Sequence, residues 1–178
     1  WGERMNVIHV YDGHEKVYDG RGSVPNVIWN IARETARAHE VTVLERKWSG
    51  LDARSQHEGV RFERFDLLTG SDEPWERVPY KAVESPLQLA RLICDRTNFA
   101  RVALSRIREL DPDIVHVHLP FAANVLVTVA PSLRERMVYT AHLGELRMNA
   151  LADDQQGQAA VATDGGAAAE NKSDGGLD

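Results

Sequence analysis

The sequence predicts a doubly wound α/β fold, a mostly parallel sheet with helices on both faces. Three observations carry this. Short runs dense in Val, Ile and Leu recur up to about Met148, as strands buried on both faces require. Between them lie segments whose apolar residues recur at helical spacing. The two kinds alternate in the order β-α-β-β-α-β-α-β, which builds a parallel sheet with crossover helices.

Asn6 to Tyr11, Asn-Val-Ile-His-Val-Tyr, reads as a buried parallel strand. A polar loop from Asp12 to Gly22 follows. Ser23 is placed to cap the next helix and Pro25 lies in its first turn. That helix runs to about Ala38, with Val24, Val27, Ile28, Ile31 and Thr35 along one face. His39-Glu40 turns into a strand over Val41 to Leu44. Val60 to Phe65 alternates apolar and charged residues, the pattern of an edge strand. Asp66 to Ser85 is a long polar loop. Ser85-Pro86-Leu87-Gln88 combines an N-cap, a proline at N1 and a glutamine at N3. The helix it starts extends to Leu110, with a break expected near Thr97-Asn98. A strand over Ile114 to His118, a helix over Ala122 to Arg136 and a strand over Met137 to Thr140 complete the pattern.

After Met148 the pattern stops. Ala150 to Asp178 is mostly Ala, Gly, Asp and Gln, with too little apolar surface to offset its ordering entropy. The expected organisation is therefore one domain over residues 1–147 and a disordered acidic tail over 148–178. Charge is split in the same way. Residues 1–150 carry 20 Lys and Arg against 21 Asp and Glu, whereas 151–178 carry one Lys against six acids. Neither part has the basic stripe of a nucleic-acid-binding protein, so no nucleic-acid partner is expected. No apolar run approaches the roughly 20 residues of a membrane helix, and no signal peptide is visible. A cytoplasmic protein is expected. The single cysteine, Cys94, sits in an apolar helical pattern and reads as a buried, inert thiol. One cysteine with scattered histidines gives no zinc spacing, so no metal is expected.

The chemistry-bearing stretch is Asp111-Pro-Asp-Ile-Val-His-Val-His-Leu-Pro120. A turn leads into a short apolar strand with His116 and His118 at alternate positions near its C-terminal end, on one side of the strand. Ligands of open parallel sheets bind outside those ends. The next strand, Met137-Val-Tyr-Thr-Ala-His142, also closes on a histidine. His9 and His116 flank apolar positions, which fits packing roles. His14, His39 and His57 read as surface or turn residues. Arg101, Arg106 and Arg108 read as a solvated helix face, with contact to an anionic membrane as the alternative.

Asp19-Gly20-Arg21-Gly22-Ser23 precedes a helix N-terminus, where glycines let backbone N–H groups approach an anion. Glu45, at the end of the second strand, stands where dinucleotide-binding domains place a ribose-binding acid. Against that reading, Pro25 occupies the third glycine position, and Gly20 lies too far beyond Tyr11 for the tight first turn. A loop that only caps its helix is the plainer alternative.

Taken together these pieces resemble the N-terminal half of a glycosyltransferase family 4 protein of the GT-B fold, one half of which is a Rossmann-like domain. The carrying residues are Gly20-Arg21-Gly22-Ser23 followed by Val27-Ile28-Trp29-Asn30-Ile31-Ala32, then His39-Glu40-Val41-Thr42-Val43-Leu44, then Asp113-Ile114-Val115-His116-Val117-His118, and then Tyr139-Thr140-Ala141-His142. The resemblance covers residues 5–147. It implies transfer of a sugar from a nucleotide-sugar to a glycan, lipid or small-molecule acceptor, with retention of configuration and no bound cofactor or metal. The N-terminal domain would mainly hold the acceptor. His118 would reach the transferring sugar and His142 would assist at the same cleft. Gly20, Gly22, Ser23 and His116 would complete the substrate-binding set, the glycine loop lying near the donor phosphates.

Two departures stand out. The usual double glycine is Gly-Arg-Gly, and the donor-side motifs, including a Glu-x7-Glu pair, do not occur in the tail. The expectation is an acceptor-side half, inactive alone, with a donor-domain chain as partner and a peripheral contact at the inner face of the membrane. The alternative is a non-catalytic α/β module that binds a sugar or a protein.

Overall fold

The protein is described by a computed structural model for residues 3–13, 15–48, 50–69 and 85–142. The expected tail, the boundary at residue 147, most of the loop before Ser85 and His14 lie outside the described residues. Compactness separates Trp1–His142 from Leu143–Asp178, and all that follows concerns the first unit.

The elements are β1 (Asn6–Tyr11), α1 (Ser23–Thr35), β2 (Glu40–Arg46), β3 (Arg54–His57), β4 (Val60–Phe65), α2 (Pro86–Leu110), β5 (Ile114–Val117), α3 (Pro120–Val129), a 3-10 helix (Pro131–Arg136) and β6 (Met137–Tyr139). They form one six-stranded sheet in the order β3-β4-β2-β1-β5-β6. Every neighbouring pair is parallel except β3 and β4. The doubly wound α/β expectation therefore holds. Apolar side chains on β1 alternate between two cores. Ile8 and Val10 pack with Val115, Val117 and the α2 residues Phe99, Ala103, Leu104 and Ile107. Val7 and Tyr11 face the other way, with Val41, Val43, Phe62 and the α1 residues Ile28 and Ala32.

Several boundaries differ from expectation for identifiable reasons. Val60–Phe65 is not an edge strand, because β3 pairs with it on one side and β2 on the other. Arg-Ser-Gln-His of β3 has no apolar residue to announce a strand. It is held by a two-residue turn, Glu58-Gly59, with φ of 45° and 85°, the backbone that a tight antiparallel hairpin needs. α2 runs unbroken through Thr97-Asn98. Its start is as read, with Ser85 Oγ accepting from the Gln88 N–H at 3.3 Å. The expected helix over 122–136 divides at Pro131, which cannot donate to the helix ladder. Ser23 is not the cap of α1. Gly22 takes that position, without a side-chain hydrogen bond. Cys94 is exposed, not buried. Its neighbours Asp95 and Arg96 turn inward instead, and Asp95 accepts from the Thr69 N–H (2.8 Å) and hydroxyl (2.7 Å).

The arginine face of α2 is not uniformly solvated. Arg106 donates to both carboxylate oxygens of Glu63 on β4, at 2.6 and 2.8 Å, and to Glu109 at 2.7 Å. This two-pronged contact clamps α2 to the sheet. Hydrogen bonds from Arg106 are the largest cause holding the Glu63 carboxyl below its ordinary value of 4.5. A depressed carboxyl contributes stability that is present above the unfolded value and lost as pH falls below it. Arg106→Ala is expected to cost about 1–2 kcal/mol at pH 7 and clearly less at pH 3. Urea unfolding at the two pH values measures this, and an equal cost at both would contradict the clamp.

Candidate functional site

The chain leaves β1 through α1 to reach β2 on one side, and returns through α2 to place β5 on the other. The strand order therefore reverses between β1 and β5, and the region beyond their C-terminal ends is the usual place for a ligand in this architecture. The register sets His9 of β1 directly beside His116 of β5. His118 follows two residues later on the same face. Its N–H donates to the Val10 carbonyl at 3.2 Å, which continues the ladder one residue past β5. Beside it, the Thr140 N–H donates to the Val117 carbonyl at 3.1 Å. That bond ties down the segment that ends in His142.

Four imidazoles meet here. His9 Nδ1 lies 2.9 Å from His118 Nε2, and His118 Nδ1 lies 3.1 Å from His142 Nε2. His9 and His118 stack with ring centres 5.2 Å apart, and His116 packs against His118 at 4.1 Å. His116 Nε2 meets the Thr140 hydroxyl at 2.7 Å. His9 and His118 are buried, at 1% and 0% exposure, whereas His142 is only half-buried. Burial is the main cause that pushes His9 down to about 3 and His118 down to about 2, with the neighbouring histidines adding to it. His116 and His142 are lowered for the same reason. All four rings are therefore neutral at pH 7.

Neutral imidazoles are metal ligands as well as hydrogen-bonding groups. His9, His116 and His118 each offer a nitrogen within 4.8 Å of the others. Two nitrogens on one tetrahedral zinc stand about 3.3 Å apart. The 2.9 Å contact between His9 and His118 is shorter than that and is the length of a hydrogen bond. An ion would have to open it, so the arrangement fits a hydrogen-bonded chain better than a metal centre. An open groove of about 540 Å³ lies on the same face toward the N-terminal ends of the strands, lined among others by Met5, Val7, His9, His39, Ile114 and His116, and not by His118 or His142.

The glycine loop is built differently from the anion cradle its sequence suggests. Glu15 supplies a carboxylate of the chain itself, accepting from the N–H groups of Gly22 (2.6 Å) and Arg21 (3.1 Å). This negative group sits at the N-terminus of α1, where the helix dipole favours it. Gly20 is required by close packing. An added Cβ would lie 2.3 Å from the Lys16 carbonyl and 2.7 Å from Pro25 Cβ. Glu45 accepts from the Val17 N–H at 2.8 Å and from Arg64 Nε at 2.7 Å, fully buried. Burial raises its pKa, opposed by those two donors. It is thus a structural anchor, and no oxygen is left facing a ribose.

His116, His118 and His142 come together as neighbours at the strand ends. Gly20, Gly22 and Ser23 stand at the start of α1, with no hydrogen bond to the histidines among the described residues. Two groups at this end of the sheet were not singled out from sequence. His9 read as a packing residue, yet it is hydrogen-bonded to His118. Asp12, directly after β1, is fully buried and forms an ion pair with Arg96 of α2 at 3.2 Å. An acid immediately beyond a buried strand was the available signal.

Comparison with known proteins accords with this fold. The sequence model of the family described as Glycosyltransferase Family 4 matches residues 24–160. Sucrose-phosphate synthase from Thermosynechococcus elongatus is a similar solved structure, with TM-score 0.50 and 14% identity. The match covers 79% of this chain and 33% of that one, so the chain spans about a third of that protein's length. At that identity the likeness concerns the fold. No curated protein sequence matches.

The buried histidines generate one prediction and the closely packed loop before α1 another. A histidine held below its unfolded value contributes stability that is present above that value and lost as pH falls. For His9 and His118 the window runs from their ordinary 6.5 down toward 3. Each should remove up to about 1.4 kcal/mol per pH unit there. Urea midpoints at pH 7.5, 6 and 5 should fall steeply, and a flat profile would mean that these rings are charged in the folded protein. Separately, Gly20→Ala should cost about 1–3 kcal/mol, because its methyl meets rigid backbone. Gly22→Ala should cost less, because the atoms nearest its methyl belong to the Glu15 carboxylate, the end of a flexible side chain. Equal losses in denaturant unfolding would contradict this reading.

Proposed function

The chain belongs to glycosyltransferase family 4, and on that premise we propose that it serves transfer of a sugar from a nucleotide-sugar to an acceptor with retention of configuration. In this reading it supplies the acceptor side of the cleft. The observation that carries the proposal is the pair His118 and His142. They stand at the ends of adjacent parallel strands, in contact at 3.1 Å, beside the point where the strand order reverses. A neutral imidazole there can hydrogen-bond a sugar hydroxyl without the cost of burying charge. His142, half-exposed, meets the substrate first. His118 reaches the sugar only when its contact with His142 opens.

Departure of the nucleoside diphosphate develops negative charge. The N–H groups at the start of α1, around Gly20, Gly22 and Ser23, can stabilise it once Glu15 has swung aside. Removing the Glu15 charge should therefore favour phosphate. The nucleotide-sugar acts as co-substrate, and no bound cofactor or metal is invoked. The acceptor is a glycan, a lipid or a small molecule. Among the described residues no helix is long and apolar enough to cross a membrane. A cytoplasmic site of action is part of the proposal, with Arg101 and Arg108 available for peripheral contact with an anionic lipid surface.

Residues 1–178 by themselves are proposed to bind without turnover, activity requiring a donor-binding domain. The test is product analysis by mass spectrometry. Purified chain with nucleotide-sugars and candidate acceptors should give no product, and a donor-domain chain supplied in trans should restore transfer. His118→Ala or His142→Ala should then lower the rate by about 100-fold or more without unfolding the domain. Turnover by the chain alone would end the claim of dependence. Sugar or protein binding without transfer in any combination would favour a non-catalytic module.

A further inference from the structure

We propose that His9 is a positioning residue. It sets the tautomer of His118 and, through it, makes His142 an outward hydrogen-bond donor at Nδ1. The last step, assigning that donor to a substrate oxygen, rests on the sugar-transfer reading. The rest stands on geometry.

A neutral imidazole carries one N–H and one lone pair. His118 has both nitrogens engaged, Nε2 toward His9 at 2.9 Å and Nδ1 toward His142 at 3.1 Å. It must therefore donate in one direction and accept in the other. Both contacts then run the same way, and the tautomers of the three rings are locked together. Only two arrangements exist. With protons pointing outward, His9 Nδ1–H donates to His118 Nε2 and His118 Nδ1–H donates to His142 Nε2. His142 then holds its own proton on Nδ1. With protons pointing inward, all three rings carry the proton on Nε2, and His142 shows a bare lone pair.

The inner end of the chain decides between them. His9 Nε2 is buried and has no hydrogen-bond partner among the described residues. The inward arrangement would place an N–H there, and a buried N–H without an acceptor is the rarer defect. The outward arrangement leaves only a lone pair at that position. The low pKa values of His9 and His118 agree with rings that stay neutral through the physiological range, so that the chain is not broken by an extra proton.

This outcome is unusual for a histidine. In water the neutral ring prefers its proton on Nε2, so a surface histidine left to itself would present the opposite tautomer. An Nδ1–H at His142 favours an acceptor oxygen, such as a sugar hydroxyl or a phosphate oxygen. It gives His142 no role as a proton acceptor at that atom.

The experiment is a long-range 1H–15N correlation spectrum of the full chain, labelled at histidine, at pH 7.5. His9, His118 and His142 should each show Nδ1 at the shift of a protonated nitrogen and Nε2 at that of an unprotonated one. In His9→Phe, His142 should move toward the Nε2–H tautomer, while a circular dichroism spectrum checks that the domain remains folded. An Nε2–H tautomer at His142 in the unaltered protein would overturn the proposal. So would an unchanged His142 in a folded His9→Phe variant, the result a mere packing role predicts. If that variant does not fold, the tautomers of the unaltered protein decide. The spectrum needs no turnover, so failure of the transferase reading would leave this result standing.

Discussion

The parallel register of β1 against β5 is the constraint on which the rest of this domain depends. It sets His9 beside His116 and Val10 beside Val117. Because side chains alternate along a strand, a slip of β5 by one residue would carry its whole set to the opposite face. Val115 and Val117 would leave the core beneath α2 and α3, and His116 would enter it. The apolar alternation that stabilises the sheet is thus the same constraint that gathers the imidazoles on one face. The site needs no separate device to assemble it.

Burial on that face shapes the chemistry. Imidazoles removed from water lose their charge more readily than they lose their hydrogen bonds. The outcome is a cluster of neutral rings hydrogen-bonded in a row from His9 to His142, with His9 Nε2 left without a partner among the described residues. Elsewhere at the same end of the sheet the charges are paired instead, Glu45 with Arg64 and Asp12 with Arg96. Glu45 additionally holds the loop after β1 through Val17, and Glu15 holds the start of α1 through Gly22. This end of the sheet is therefore organised by side chains of opposite kinds. Carboxylates fix the loop side and neutral histidines line the strand ends.

Much of this was legible in the sequence because the signals were strong and local. Buried parallel strands announce themselves as apolar runs, and Ser85-Pro86-Gln88 spells a helix start in four residues. The features that escaped were those in which pairing or a turn overrides composition. β3 is polar throughout and exists through its turn and its partner. The break at Pro131 separates an apolar helix from a mostly polar turn, Ser132-Leu133-Arg134-Glu135-Arg136, and the proline itself was its signal. Cys94 lay within a helical pattern, but periodicity alone did not say which face of α2 the sheet would cover. Arg106 shows the same limit, since a charged helix face carries no mark of the acid that lies across from it on β4.

The sequence by itself determined the fold class, the positions of most elements and the two strands that are each followed by a histidine, His118 after β5 and His142 beyond β6. Each of these follows from hydrophobic period and turn chemistry within short windows. Only the tertiary structure decided which histidines touch. His9 and His118 are far apart in the chain, and their 2.9 Å contact exists because a crossover returns β5 to the flank of β1. It likewise decided that Glu15 rests on Gly22 and that Glu45 is consumed by Arg64. Such contacts depend on strand order and register, quantities that no local pattern encodes, because they are set by how the whole sheet closes over its two cores.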